Sequence, residues 1–224
     1  MKPSNFFGET GLDRMSERRG DAVWLAEIKR APNALFSPVW RTRSFIDQSD
    51  AETPRSAHLD AAAITQLTDD ESEVIFLGYR GGVPYFSVDI SHLDEPESHP
   101  SLIGKGEFAD IRDVGLFMPR EEGAMLAYAR AIAYWHHTHR FCGRCGSPTV
   151  IKEAGHVRRC QNPDCNTQHF PRTDSAVIML VHRGDKVILA RKKGWPEGRR
   201  SILAGFVEPG ETLEGAVTRE VMEE

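Results

Sequence analysis

The stretch from Gly205 to Glu224, GFVEPGETLEGAVTREVMEE, decides how this chain is read. Gly205 and Gly210 frame a loop leading into a helix predicted to begin near Thr212. On that helix Glu220, Glu223 and Glu224 stand at i, i+3 and i+4, so the three carboxylates share one face. Like charges so placed destabilise a helix by roughly 0.2–0.5 kcal/mol per pair. They also lie toward the C-terminal end, the unfavourable pole of the helix dipole for an acid. Two readings are open: an acidic face bathed in solvent, or a carboxylate cluster neutralised by a cation. Carboxylate oxygens suit Mg²⁺ or Mn²⁺, which bind through a few carboxylates, waters and substrate phosphates.

Just upstream, Ser175–Val181 and Lys186–Arg191 read as strands, with His182–Asp185 as the turn between them. Ser201–Ala204 reads as a third short strand, after a Gly- and Pro-containing loop over Lys192–Arg200. The cations Lys192, Lys193, Arg199 and Arg200 are placed either to meet phosphates or an RNA backbone, or simply to be solvated.

Further back, the region from Phe141 to Phe170 holds all four cysteines of the chain. Cys142 and Cys145 form a C-x₂-C pair, and after fourteen residues Cys160 and Cys165 form a looser C-x₄-C pair bent by Pro163. Short turns of this kind let two sulfurs converge on one ion, and four thiolates close the tetrahedron of a structural zinc site. The expectation is one zinc per chain, holding architecture rather than doing chemistry; the spacing fits zinc without excluding iron. Two disulfides or four unrelated buried thiols are the other readings, and the clustering of two pairs within 24 residues weighs against them. Ser147–Arg159, between the pairs, has the length of a small hairpin.

Before the cysteines comes a helix over about Arg120–His139, with Met125, Tyr128, Ile132 and Trp135 at the spacing of one apolar face. His136, His137 and His139 cluster at its end, either as metal ligands or as imidazolium favoured by the helix C-terminus. The region from about residue 20 to 120 alternates apolar runs with turns. Ala22–Ile28 reads as a helix, and Ala34–Val39, Glu73–Tyr79 and Pro84–Ile90 as strands. Arg80-Gly81-Gly82-Val83 signals a hairpin. Gln48–Ser56 and Ser91–Ser101 read as loops, and nothing in this region carries recognisable chemistry.

The 224 residues, 40% hydrophobic and 27% charged, are ordinary for a globular protein, and a net charge of −5 recruits no polyanion globally. Any RNA contact would be a local patch. No stretch approaches the roughly 20 apolar residues of a membrane span, and the N-terminus has no apolar signal region. The thiols therefore point to a reducing compartment, and the expected location is the cytoplasm.

Gly205, Glu211, Arg219, Glu220, Val221, Glu223 and Glu224 keep every spacing of the Nudix box: Gly, five residues, Glu, seven residues, Arg-Glu, an apolar residue, any residue, Glu-Glu. The motif Phe141-Cys-Gly-Arg-Cys-Gly146, the second cysteine pair, Phe170-Pro171 and Leu203-Ala-Gly-Phe-Val-Glu208 resemble the NADH pyrophosphatase subfamily of Nudix hydrolases. So do Asp113-Val-Gly-Leu-Phe117, the long helix and the N-terminal segments Asn-Ala-Leu-Phe and Val-Pro-Tyr-Phe-Ser-Val-Asp, so the likeness covers nearly the whole chain. The resemblance implies an α+β fold: an N-terminal Nudix-like domain over residues 1–119, a connecting helix over 120–140, a zinc ribbon over 141–170, and over 171–224 the first part of a Nudix α/β/α sandwich with a mixed sheet. It implies metal-dependent cleavage of NAD(H) to nicotinamide mononucleotide and AMP, removal of NAD caps from RNA 5′ ends, and a homodimer, with no membrane partner. Metal ligands would be Glu220, Glu224, Glu223 and the carbonyl of Ala204, with Arg219 orienting the glutamates, Phe170 and Phe206 stacking on a base, and the four cysteines holding zinc. Nudix hydrolysis of another nucleoside diphosphate such as ADP-ribose, or a zinc-ribbon module binding nucleic acid or protein, are the other functions considered. The family box runs three positions past Glu224, so the 224-residue chain is expected to hold an incomplete Nudix domain and to be inactive, poorly soluble or both.

Overall fold

The computed structural model describes residues 5–50, 52–68 and 74–224. Glu73, the first residue of one predicted strand, and Ala51, inside a predicted loop, lie outside the described residues. The chain divides into two units, Met1–Pro171 and Arg172–Glu224.

In the first unit Asp21 caps helix α1 (Ala22–Lys29), its carboxylate accepting from the Trp24 amide. Strands β1 (Leu35–Trp40), β2 (Arg43–Asp47) and β3 (Arg55–Ser56) follow, then helix α2 (Ala61–Leu67). Next come β4 (Val74–Arg80), β5 (Val83–Asp89) and β6 (Glu107–Ala109), the short helix α3 (Ile111–Val114) and the long helix α4 (Arg120–Thr138). The sheet order is β3-β2-β1-β5-β4 with β6 paired to β2, and it is mixed because β1 and β5 run parallel. The β4–β5 hairpin turns at Gly81 and Gly82, whose φ values of 58° and 78° are ones few other residues adopt at low cost.

Strand alternation sorts the apolar side chains to two faces. Phe36, Phe76, Phe86 and Val88 pack toward α1 and α2, with Phe36 and Phe86 stacked at 4.9 Å. Val39, Ile75, Leu77 and Tyr85 pack against Met125, Ile132 and Trp135 of α4, with Tyr128 at the margin. The predicted helical stripe is therefore the seam that covers one side of the sheet. Part of the Gln48–Ser56 loop is ordered as β3 because Arg55 and Ser56 both bond Glu122 of α4.

The ribbon belongs to this same unit. Strands β7 (Thr149–Lys152) and β8 (Val157–Cys160) form the predicted hairpin, and β9 (Gln168–His169) adds a third strand. His156 bonds the Phe76 carbonyl at 2.9 Å, and His136 bonds the Gly155 carbonyl at 2.7 Å, tying the ribbon to sheet and helix.

The second unit holds β10 (Ala176–Met179), β11 (His182–Arg183), β12 (Lys186–Val187), β13 (Leu203–Phe206) and helix α5 (Leu213–Glu223). β10 pairs antiparallel with β13, and Val177, Met179, Leu203 and Ala216 form the core between that ladder and α5. The predicted strand over Lys186–Arg191 is shorter than its apolar pattern suggests. Its ladder to His182–Arg183 ends at Val187, and Ala190 turns to pair with Ser201 instead. The third strand lies two residues later than predicted, over Leu203–Phe206. Among the described residues no helix is long and apolar enough to cross a membrane.

Candidate functional site

Thr212 caps α5, its hydroxyl accepting from the Gly215 amide at 3.0 Å, which sets the helix start where the sequence places it. Two turns on, Arg219 becomes the centre of the site. Its Nε donates to Glu211 at 2.7 Å, and one terminal nitrogen donates to the other Glu211 oxygen at 3.0 Å and to the Phe206 carbonyl at 2.9 Å. The other terminal nitrogen donates to Glu220 at 2.8 Å and Glu223 at 3.2 Å. A guanidinium has five N–H groups in a fixed fork, so every donor of Arg219 is spent. The guanidinium holds the Glu211 carboxyl down to about 2, helped by the Glu208 amide, and the carboxylates in turn raise Arg219.

Gly205 explains how β13 and α5 approach so closely. A Cβ there would overlap the carboxyl group of Glu220, which lies against the strand one residue from Ala204. Ala204 and Phe206 point to the opposite, exposed face of β13, and the Phe206 ring is 67% exposed. Phe206 also lines a shallow cleft with Arg172, Ser175 and Glu208. Phe170, just after β9 in the first unit, is 63% exposed. Lys192, Lys193, Arg199 and Arg200 are all exposed, with Arg199 stacked over Trp195 at 5.2 Å.

The three helix glutamates differ in their commitments. Glu220 is mostly buried and held by Arg219; Glu223 is more exposed and shares the same guanidinium. Among the described residues no hydrogen bond engages the Glu224 carboxylate, and the three side chains do not converge on one point. They form a row of oxygen donors along the last turn, a set suited to a hard divalent ion.

The four thiols do converge. Their sulfurs all lie within 4.8 Å of one another, the only such group of three or more candidate ligands among the described residues. Cys142 and Cys165 are 3.8 Å apart and Cys145 and Cys160 3.5 Å. A zinc tetrahedron with bonds of about 2.3 Å has sulfur–sulfur edges of about 3.8 Å, so the residues fit the ion. Disulfide sulfurs would stand about 2 Å apart. Ser147 donors hold the Cys145 thiol down to about 6, while burial pushes Cys160 up to about 12. His169 reaches the Cys142 sulfur at 3.3 Å and Thr167 the Cys165 sulfur at 3.1 Å, outer partners that orient thiolates.

The three histidines at the end of α4 do not act as a unit: His139 Nδ1 lies 3.1 Å from the Trp135 carbonyl in the last helical turn, while His136 departs from both readings. His136 is buried, and burial pushes it down to about 4, so it is neutral near pH 7 rather than a helix-stabilising imidazolium. It joins no group of converging ligands among the described residues. Glu211 and Gly205 were legible as fixed box positions, but only the structure gives them work: one clamps Arg219, the other makes room for Glu220.

Residues 33–135 match the family described as NADH pyrophosphatase-like rudimentary NUDIX domain, 137–170 the NADH pyrophosphatase zinc ribbon domain, and 171–224 the NUDIX domain. The chain is 32% identical to the human NAD-capped RNA hydrolase NUDT12, over 98% of this chain and 55% of that protein. It is 41% identical to the NAD-capped RNA hydrolase NudC of Stutzerimonas stutzeri, over 66% of this chain and 50% of that one. Against the NudC of Mycobacterium tuberculosis the identity is 39%, over 73% and 51%. The chain thus spans about half the length of the curated relatives it matches.

Proposed function

From a chain that belongs to the NADH pyrophosphatase group of the Nudix hydrolases, we propose a protein that hydrolyses the pyrophosphate bond of NAD(H), free or as the 5′ cap of RNA, to release nicotinamide mononucleotide and AMP or an RNA with a 5′ phosphate. The observation that carries the proposal is the saturated Arg219, which fixes Glu220 against β13 and has no donor left for Glu224 on the same helix face.

Bound Mg²⁺ or Mn²⁺ would supply Lewis acidity toward the phosphates and a more acidic water. Glu220, Glu223, Glu224 and the Ala204 carbonyl are the groups proposed to hold it. Arg219 keeps Glu220 and Glu223 in register, and Glu224, which Arg219 does not hold, is the carboxylate proposed to take up a proton or a cation. Phe206 and Phe170, each exposed in its own unit, are the rings proposed to stack on the substrate. The zinc ribbon holds structure only, because four thiolates leave no open coordination position. A homodimer and a cytoplasmic location complete the proposal, the first to be checked by sedimentation and the second by fractionation.

The test is steady-state assay of the full-length protein on NADH with Mg²⁺ or Mn²⁺, products followed by chromatography. NMNH and AMP, lost in Glu224→Gln, are expected. Cleavage of ADP-ribose with NADH untouched would refute the substrate and keep the chemistry.

A further inference from the structure

A cleft of about 560 Å³ lies between the C-terminal end of α4, the β4 face and the ribbon hairpin, far in character from the acidic Nudix helix. Its floor is Arg158 of β8, which is only 7% exposed. Buried arginine is ordinarily matched by a carboxylate, because an unpaired charge taken out of water costs heavily. Arg158 has no such partner among the described residues. Its Nε donates to the Thr149 hydroxyl at 2.7 Å, and one terminal nitrogen to the Thr149 carbonyl at 3.1 Å. The other donates to His136 Nδ1 at 2.9 Å.

His136 cannot serve as counter-charge. Its Nε2–H is spent on the Gly155 carbonyl, so Nδ1 is the acceptor of a neutral ring. Three of the five guanidinium N–H groups are therefore used, all on neutral acceptors, and two remain. At the mouth stand a second cation, Arg140, near enough to act electrostatically on Arg158, and the ring of His137, both exposed. The one acid lining the cleft, Asp89, has an oxygen engaged by the Ser91 amide. Ile151 and the exposed ring of Phe141 supply apolar wall.

We infer that this cleft is an anion site for a phosphate monoester, with Arg158 as the phosphate anchor, Arg140 and His137 as its rim, and Phe141 as a face for an attached nucleobase. A planar guanidinium with two N–H groups to spare matches two phosphate oxygens, and the volume suits a mononucleotide. The residues named share none with the Nudix helix, so the site stands or falls independently of the catalytic proposal.

The experiment is calorimetric titration of the zinc-loaded full-length protein carrying Glu220→Gln and Glu224→Gln, without added Mg²⁺ or Mn²⁺, using AMP, adenosine and inorganic phosphate. AMP is expected to bind one site per chain and adenosine none. Arg140→Glu is expected to weaken AMP at least tenfold, and Arg158→Met to abolish it, at unchanged zinc content. Phosphate binding as tightly as AMP would keep the anion site and remove the role of Phe141. If AMP and phosphate both fail to bind up to about 10 mM, or bind Arg140→Glu as well as the parent, the site does not exist. Arg140 lies on the surface, so its variant decides the matter even if Arg158→Met fails to fold.

Discussion

Gly205→Ala isolates the geometry of the proposed catalytic helix from its stability. In the structure the new methyl would fall within bonding range of the Glu220 carboxyl group. Nonbonded carbons settle at about 3.5–4 Å, so the carboxyl has to retreat by more than about 1.5 Å. The obstacle is the far end of a flexible side chain, not backbone, and Gly205 does not sit at a positive φ, so the helix and strand need not part. What gives way is the 2.8 Å bond from Arg219 to Glu220. Misplacing a reacting group by about 1 Å costs on the order of 10²-fold in rate, so kcat/KM for NADH should fall about 100-fold while the melting temperature moves little.

Glu220→Asp sharpens the test, since its carboxylate is one methylene nearer the helix. Alone, it should impair activity by leaving Gly205 uncovered; beside Gly205→Ala, it should cost less than in the parent, because the clash is gone. Non-additivity of this sign is what residues in contact produce. Retention of more than half the parent kcat/KM by Gly205→Ala, or strict additivity in the double variant, would mean that the Glu220 position does not matter as argued.

Arg219→Lys replaces five donors by three on a flexible stem, and should lower kcat at least tenfold with little change in KM; an unchanged kcat would remove the arginine from the site. Cys160→Ser should drop bound zinc from about one equivalent to less than half and loosen amide protection along β7 and β8, as read by elemental analysis and hydrogen exchange. His58, lowered by burial from 6.5 to about 4, binds a proton more readily unfolded than folded, so its contribution is present above pH 6.5 and is lost as pH falls toward 4. At pH 5 that is about 2 kcal/mol, and urea unfolding of His58→Gln should show a correspondingly flatter loss of stability between pH 6.5 and 5. Identical pH profiles for parent and variant would sink that assignment.

How much was legible depended on the range of the interaction. The Arg80–Val83 hairpin, the Met125–Trp135 stripe, the Thr212 cap and the thiol pairs are each settled within about a dozen residues of sequence, where turn chemistry and periodicity act. The parallel pairing of β1 with β5 joins Phe36 to Phe86 across fifty positions, and no local pattern marks it. Lys186–Arg191 misled because an apolar run shows that a segment is able to pair, not where its partner stops. His136 misled for a related reason: its place near a helix end favours a proton, but contact with Gly155 and Arg158 from the ribbon removes solvent and reverses the preference.

The box itself follows from one requirement, that a guanidinium be saturated. Arg219 needs five acceptors; the chain supplies two from Glu211 at the helix entrance, one from the end of β13, and one each from Glu220 and Glu223. Seven residues between Glu211 and Arg219 bring the loop carboxylate alongside the second helical turn. Adjacency of Arg219 to Glu220, and the four-residue step to Glu223, bring both helix carboxylates within its reach. Once those acceptors have taken its five N–H groups, Arg219 has none left for Glu224, the third acid of the same face. A carboxylate that Arg219 does not offset is the better cation ligand, so Glu224→Gln should weaken Mn²⁺ binding more than Glu223→Gln, whose charge Arg219 already offsets; equal losses in a Mn²⁺ titration would contradict this division of labour.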